Sequence, residues 1–292
     1  MSVERVGVIG CGAMGGGFAE VCALAGLPVQ VVVRNADAVR RGRERLTGSL
    51  ERLVRKEKIS PADRDEAIAR LTFSEQLKHL RDCQFILESV TEDLAVKQRL
   101  FEELDAVVAE PGAVLASNTS SIPIMKLAMV TGDPGRVVGV HLFNPVPVMS
   151  LVEVTPSLRT SKQTLATTSS FVTDVLGKQV VLSTDRPGFV VNSLLIPYLI
   201  SAVRMLESGV ASAADIDRAM VLGCGHPLGP LGLIDLIGLD IIASVGQSMY
   251  EELKDPQYAP PTLLLRMIEG GFLGRKSGQG FHDYSPAAQK TG

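Results

Sequence analysis

The stretch Val6-Gly7-Val8-Ile9-Gly10-Cys11-Gly12-Ala13-Met14-Gly15 decides the reading of the first half of the chain. A strand-sized apolar run passes into glycines spaced GxGxxG and then into helix-forming residues over Ala13–Ala25. Gly10 permits a tight turn, Gly12 lets a pyrophosphate approach the backbone, and Gly15 lets helix and strand pack closely. The unpaired N–H groups of a helix start attract phosphate, so strand, turn and helix together read as a dinucleotide site, with Ala13 and Met14 in the first helical turn. A glycine-rich turn without a ligand is the bland alternative, and the strand–turn–helix context disfavours it. No Gly-Lys-Ser/Thr follows, which argues against a mononucleotide P-loop.

Outward from this turn, strand-like runs recur at Arg5–Ile9, Val29–Val33, Phe85–Ser89, Val114–Ser117 and Val137–His141, with Leu151–Thr155 and Val180–Ser183 beyond. Helical stretches at Ala36–Arg55 and Lys97–Val108 alternate with them. That alternation predicts a mostly parallel sheet with helices on both faces. After Asp185-Arg186-Pro187-Gly188 the apolar period becomes helical, as in Leu194–Leu206 and Ile216–Leu222. The expected organisation is an α/β Rossmann-like domain over residues 1–184 and an all-α domain over 185–292.

An acidic residue about 20 positions past the glycines commonly binds the ribose 2'-hydroxyl of NAD. Here the second strand ends Val31-Val32-Val33-Arg34-Asn35. With no carboxylate to repel a 2'-phosphate and a guanidinium able to pair with it, the site leans towards NADP. Two other readings of Arg34 stay open: it faces solvent, or it stacks on the adenine of NAD.

Composition narrows the class. The 292 residues are 46% hydrophobic and 21% charged, enough apolar material for packed cores. A formal charge of -3 gives no global field for nucleic acid or an anionic membrane. No apolar run reaches the roughly 18 residues of a membrane span, and the N-terminus lacks the plan of a signal peptide. Cys11, Cys22, Cys83 and Cys224 follow no metal-binding spacing, so no metal is expected, and they read as reduced thiols of a cytoplasmic protein.

His141 ends a predicted strand, where ligands bind in open α/β sheets, and imidazole suits removal of a hydroxyl proton near neutral pH. Glu153 lies on the next apolar strand, where a carboxylate needs a partner, and a turn through Pro145 and Pro147 would return it to His141. Such a histidine also commonly makes an ordinary structural hydrogen bond.

The run His141-Leu142-Phe143-Asn144-Pro145-Val146-Pro147-Val148-Met149-Ser150-Leu151-Val152-Glu153-Val154 resembles the HxFNPxPxMxLVEV signature of the 3-hydroxyacyl-CoA dehydrogenase family, especially its short-chain 3-hydroxybutyryl-CoA branch. Ser117-Asn118-Thr119-Ser120-Ser121, Asp185–Asn192, Gly225–Leu231, Asp235–Asp240 and Gly274–Phe281 match in the same order. The resemblance implies hydride transfer between a nicotinamide cofactor and C3 of a short 3-hydroxyacyl thioester. It implies His141 as acid/base, Glu153 as its orienting partner, and Ser120 and Asn192 bonding either the reacting oxygen or the surroundings of the histidine. It also implies cofactor contacts from Glu92, Lys97 and Asn118 beside the glycine turn. A basic cluster of Arg52, Arg55, Lys56 and Lys58 would meet the CoA phosphates, with Lys56 as the closest match, unless it is only a solvated helix face. The helical domain would form a homodimer.

The chain departs from the family pattern at three places: Val33-Arg34 in place of the acidic strand end, Ser193 in place of arginine, and His282 in place of an aromatic tyrosine. Within enzymes the competing reading is a dehydrogenase of a free β-hydroxyacid or an acyl-carrier-protein thioester. Outside them it is a non-catalytic dinucleotide sensor, against which the set His141, Glu153, Ser120 and Asn192 argues.

Overall fold

The computed structural model describes residues 2–285, in two compact units that divide between Arg186 and Pro187. In the first unit the strands are β1 (Val6–Ile9), β2 (Val29–Val32), β3 (Leu71–Ser74), β4 (Phe85–Glu88), β5 (Val114–Ser117), β6 (Val137–Leu142), β7 (Leu151–Pro156) and β8 (Gln179–Leu182). They form one sheet in the order β3-β2-β1-β4-β5-β6-β7-β8. Pairing is parallel from β3 through β6, antiparallel between β6 and β7, and parallel again between β7 and β8. The strand order reverses beside β1, so a crevice opens at the carboxyl ends of β1 and β4.

Alternate residues of each strand feed two cores. Val6, Val8, Phe85, Leu87, Val138 and Val140 pack on one face, and Ile9, Ile86, Leu115 and Val137 on the other. The first face is covered by helices α1 (Ala13–Leu24), α2 (Ala36–Arg55), α3 (Pro61–Ala69) and, later in the chain, Lys162–Ser170; the second is covered by α4 (Leu94–Val107) and α5 (Ile124–Ala128). With Lys162–Ser170 as α6, the predicted two-faced α/β layout is what the chain forms.

Local sequence explains the helix starts. Asn35 caps α2 by accepting from Ala38 N at 2.9 Å. Ser60 and Asp63 make a reciprocal capping box at α3, with Pro61 in its first turn, after Glu57 takes a left-handed backbone at φ 54°. Asp93 caps α4, which begins at Leu94, ahead of the expected Lys97. Between residues 56 and 84, where the sequence pattern marks no element, α3 and the edge strand β3 stand.

The second unit is helical: α7 (Val191–Glu207), α8 (Ala213–Cys224), α9 (Pro230–Ile237), α10 (Leu239–Leu253) and α11 (Thr262–Glu269). Its core gathers Ile196, Leu199, Ile200, Val203, Leu231, Ile234, Ile242 and Leu264. Asp217 caps α9 by accepting from Leu231 N and Gly232 N, each at 2.8 Å. His282, the family departure, joins that cap, its Nε2 lying 2.8 Å from Asp217 Oδ2. Ser193, the other departure in this unit, donates its hydroxyl to Phe189 O at 2.6 Å. Among the described residues no single helix is long and apolar enough to cross a membrane, and no group of His, Cys, Asp or Glu could hold a metal ion. All four cysteines are free thiols.

Candidate active site

The glycine turn connects β1 to α1 at the carboxyl edge of the sheet. Gly10 has φ +87°, and a Cβ there would meet Ser89 O at 2.4 Å. A Cβ on Gly15 would fall 2.1 Å from Gly10 O, so this glycine is what brings helix onto strand. Gly12 is different: a Cβ added there meets nothing within 4 Å. Its missing side chain is not required by the protein's own packing, and it keeps an open approach to the start of α1. No side chain caps that helix and no acidic residue stands in its first turn, which Ala13 and Met14 begin. Open space beside uncapped N–H groups fits a pyrophosphate.

At the end of β2, Val33 is buried and Arg34 is exposed, with no ion pair among the described residues. The basic positions Arg52, Arg55, Lys56 and Lys58 are all exposed around the end of α2, where Lys56 is the C-cap.

His141 and Glu153 face each other across the antiparallel β6–β7 ladder. Directly opposed residues of such a pair share one face of the sheet. Nδ1 of His141 lies 2.7 Å from Glu153 Oε2; the histidine is 7% exposed and the glutamate 0%. The connection 143–150 is tied down at several points. Phe143 sets its ring edge-on to the imidazole with centroids 4.7 Å apart, and Val146 is buried. Lys178, just before β8, donates from Nζ to Val146 O and Met149 O, both at 2.7 Å. Burial holds the Lys178 ammonium below the usual lysine range, with the nearby Cys22 opposing the shift.

The loop after β5 carries the next group. Asn118 Oδ1 accepts from Leu142 N at 3.0 Å, which joins this loop to the residue following His141. Ser120 donates its N–H to Glu92 Oε1 at 3.1 Å, and the same oxygen takes Ser121 N at 3.2 Å, Ser121 Oγ at 3.1 Å and the Thr119 hydroxyl. Burial pushes the Glu92 carboxyl up, but Lys97, the Thr119 hydroxyl and these N–H donors outweigh it and hold the group below the usual carboxylate range. Lys97 is itself buried, with Nζ 2.6 Å from Glu88 Oε1 and 3.4 Å from Glu92 Oε2.

Of the residues singled out from sequence, the first unit brings Gly10, Gly12, Gly15, Glu92, Lys97, Asn118, Ser120 and His141 to the carboxyl edge of one sheet, with Glu153 beside His141. Asn192 belongs to the second unit, where it is the second residue of α7; the N-cap is Val190. Sequence reasoning missed Glu88 and Lys178. Glu88 stands in the apolar run Phe85-Ile86-Leu87-Glu88, and a charge in a buried strand demands a partner, as it did for Glu153.

Two family models divide the chain between them: "3-hydroxyacyl-CoA dehydrogenase, NAD binding domain" matches residues 5–186 and "3-hydroxyacyl-CoA dehydrogenase, C-terminal domain" matches 188–284. The chain belongs to the 3-hydroxyacyl-CoA dehydrogenase family. It is similar to a 3-hydroxybutyryl-CoA dehydrogenase of Mycobacterium tuberculosis, with 53% identity over 97% of this chain and 99% of that one. Among solved structures it is similar to M. tuberculosis FadB2 at 53% identity and TM-score 0.96, covering 98% of this chain and 100% of the other. The (S)-3-hydroxybutyryl-CoA dehydrogenase PaaH1 of Ralstonia eutropha matches at 42% identity and TM-score 0.92, over 97% and 100% of the two chains. Family membership makes the chain an oxidoreductase that uses a nicotinamide cofactor.

Proposed function

We propose that the chain interconverts 3-hydroxybutyryl-CoA and acetoacetyl-CoA, with His141 as the acid/base. The observation that carries this reading is the His141–Glu153 pair, 2.7 Å apart at the carboxyl edge of the sheet. In the oxidation, Nε2 of His141 takes the proton of the C3 hydroxyl, since Nδ1 is turned to Glu153. The C3–H bond breaks and its electron pair leaves with the hydrogen. A bound nicotinamide would supply the hydride acceptor, or the donor in reduction. Glu153 holds the ring and balances the charge of the imidazolium. The Ser120 hydroxyl bonds the substrate oxygen, Asn118 lies by the nicotinamide ribose, and Glu92 and Lys97 border the cofactor. Asn192 is assigned to the substrate oxygen on the family pattern alone, and Lys56 to the CoA phosphates on the same ground.

The preferred cofactor in this reading is NADP. Arg34 is exposed and without an ion pair among the described residues, and Val33 offers nothing to a free 2'-hydroxyl. A homodimer through the helical unit is supported by its exposed Leu194, Val210 and Leu222. A cytoplasmic setting is supported by four free thiols.

The test is reduction of acetoacetyl-CoA by the purified protein, compared with its free acid and acyl-carrier-protein counterparts. His141→Gln should lower turnover by about 10²–10⁴ with cofactor binding intact. Full turnover in that variant overturns the assignment, and bound cofactor with no turnover on any of the three substrates returns the sensor reading.

A further inference from the structure

Glu88 is 0% exposed at the end of β4, between Ile9 of β1 and Ser117 of β5. Its Oε1 accepts from Lys97 Nζ at 2.6 Å and Val90 N at 2.7 Å, and its Oε2 from Ser117 Oγ at 2.6 Å. A buried ion pair is weak evidence for stability, because apolar residues of similar shape do as well or better. The arrangement makes sense as placement. Glu92 gathers Thr119, Ser120 and Ser121 on Oε1, and its other oxygen, on a side chain 39% exposed, lies 3.4 Å from Lys97 Nζ. Lys97 in turn is fixed by Glu88.

We propose that Glu88 is a positioning residue for the reaction. It sets the Ser120 backbone, and with it the direction of the hydroxyl, through Lys97 and Glu92, and holds the strand end below that loop through Ser117. The inference rests on the reading above that Ser120 meets the substrate oxygen.

The experiment is a double-mutant cycle between Glu88→Gln and Ser120→Ala on acetoacetyl-CoA reduction, with cofactor affinity and thermal unfolding measured on every variant. Glu88→Gln alone should lower kcat by about 10- to 100-fold, the scale of a small misplacement. In the Ser120→Ala background the same change should cost less than about 2-fold, since neighbours in one network do not add. Should Glu88→Gln fail to fold, Ser117→Ala cuts one arm of the network while leaving the ion pair, and its loss of kcat should likewise vanish in the Ser120→Ala background. Equal losses in both backgrounds, or an unchanged kcat, overturn the proposal. Full turnover of Ser120→Ala overturns it together with the role of Ser120 while leaving His141 standing. Full turnover of His141→Gln instead removes the broader reading.

Discussion

A methyl group on Gly17 of α1 would stand 2.8 Å from Cβ of Val146, in the connection that follows His141. Helix α1 and the loop beyond the histidine therefore meet with no room for one more carbon. Gly17→Ala should destabilise the protein by about 1–3 kcal/mol, the usual cost of overpacking, and lower turnover by displacing residues 143–147. A urea titration with an unshifted midpoint would show that Val146 gives way freely.

Glu153 is fully buried with His141 as its partner, so replacing it tests charge separately from shape. Glu153→Gln should cost about 10- to 10³-fold in kcat, less than His141→Gln, because the amide oxygen can still accept from Nδ1–H but no longer balances an imidazolium. Unchanged kcat would remove Glu153 from the mechanism.

The proposed cofactor choice rests on Val33 and Arg34. Charge-assisted contacts to a 2'-phosphate should favour NADPH over NADH by about 10-fold or more in kcat/KM. Arg34→Ala should erase most of the preference, and Val33→Asp should turn it towards NADH. Equal efficiency with both cofactors in the unaltered protein would show that Arg34 does not read the phosphate.

Burial pushes the thiols upward: Cys11 to about 11, Cys83 to about 12, and Cys22 higher still, from an ordinary value of 9.0. Unfolded thiols ionise from about pH 9 while the folded ones stay protonated, so the unfolded state binds fewer protons and stability falls as pH rises. The loss is negligible well below pH 9, sets in around it, and grows by about 1.4 kcal/mol per pH unit for each thiol until the folded group titrates. Denaturant midpoints at increasing pH should show this slope, and a Cys22→Ala/Cys83→Ala variant should flatten it. An equal slope in that variant would assign the loss to other groups.

Much of the first unit was legible because its strands are short and apolar and alternate with helices. Leu71-Thr72-Phe73-Ser74 was not, because only Leu71 is buried and the strand follows α3 with Arg70 alone between them. The direction of β7 was readable in principle: the connection 143–150 is shorter than the dozen or so residues a parallel crossover needs. The opposition of His141 and Glu153 is a consequence of that reversal. The links among Glu88, Glu92, Lys97 and Ser117 were hidden for another reason. They join β4, the loop after it, α4 and β5, and only strand adjacency brings them together.

The rung that joins His141 to Glu153 sits deep in the sheet. Its strands lie inside an eight-stranded sheet, paired on both sides, with Val138, Val140, Val152 and Val154 at 0% exposure. Amides in such strands exchange with solvent only through the largest openings of the molecule. The backbone that carries imidazole and carboxylate should therefore be among the last parts of the first unit to exchange, and the loops at the rim of the sheet among the first.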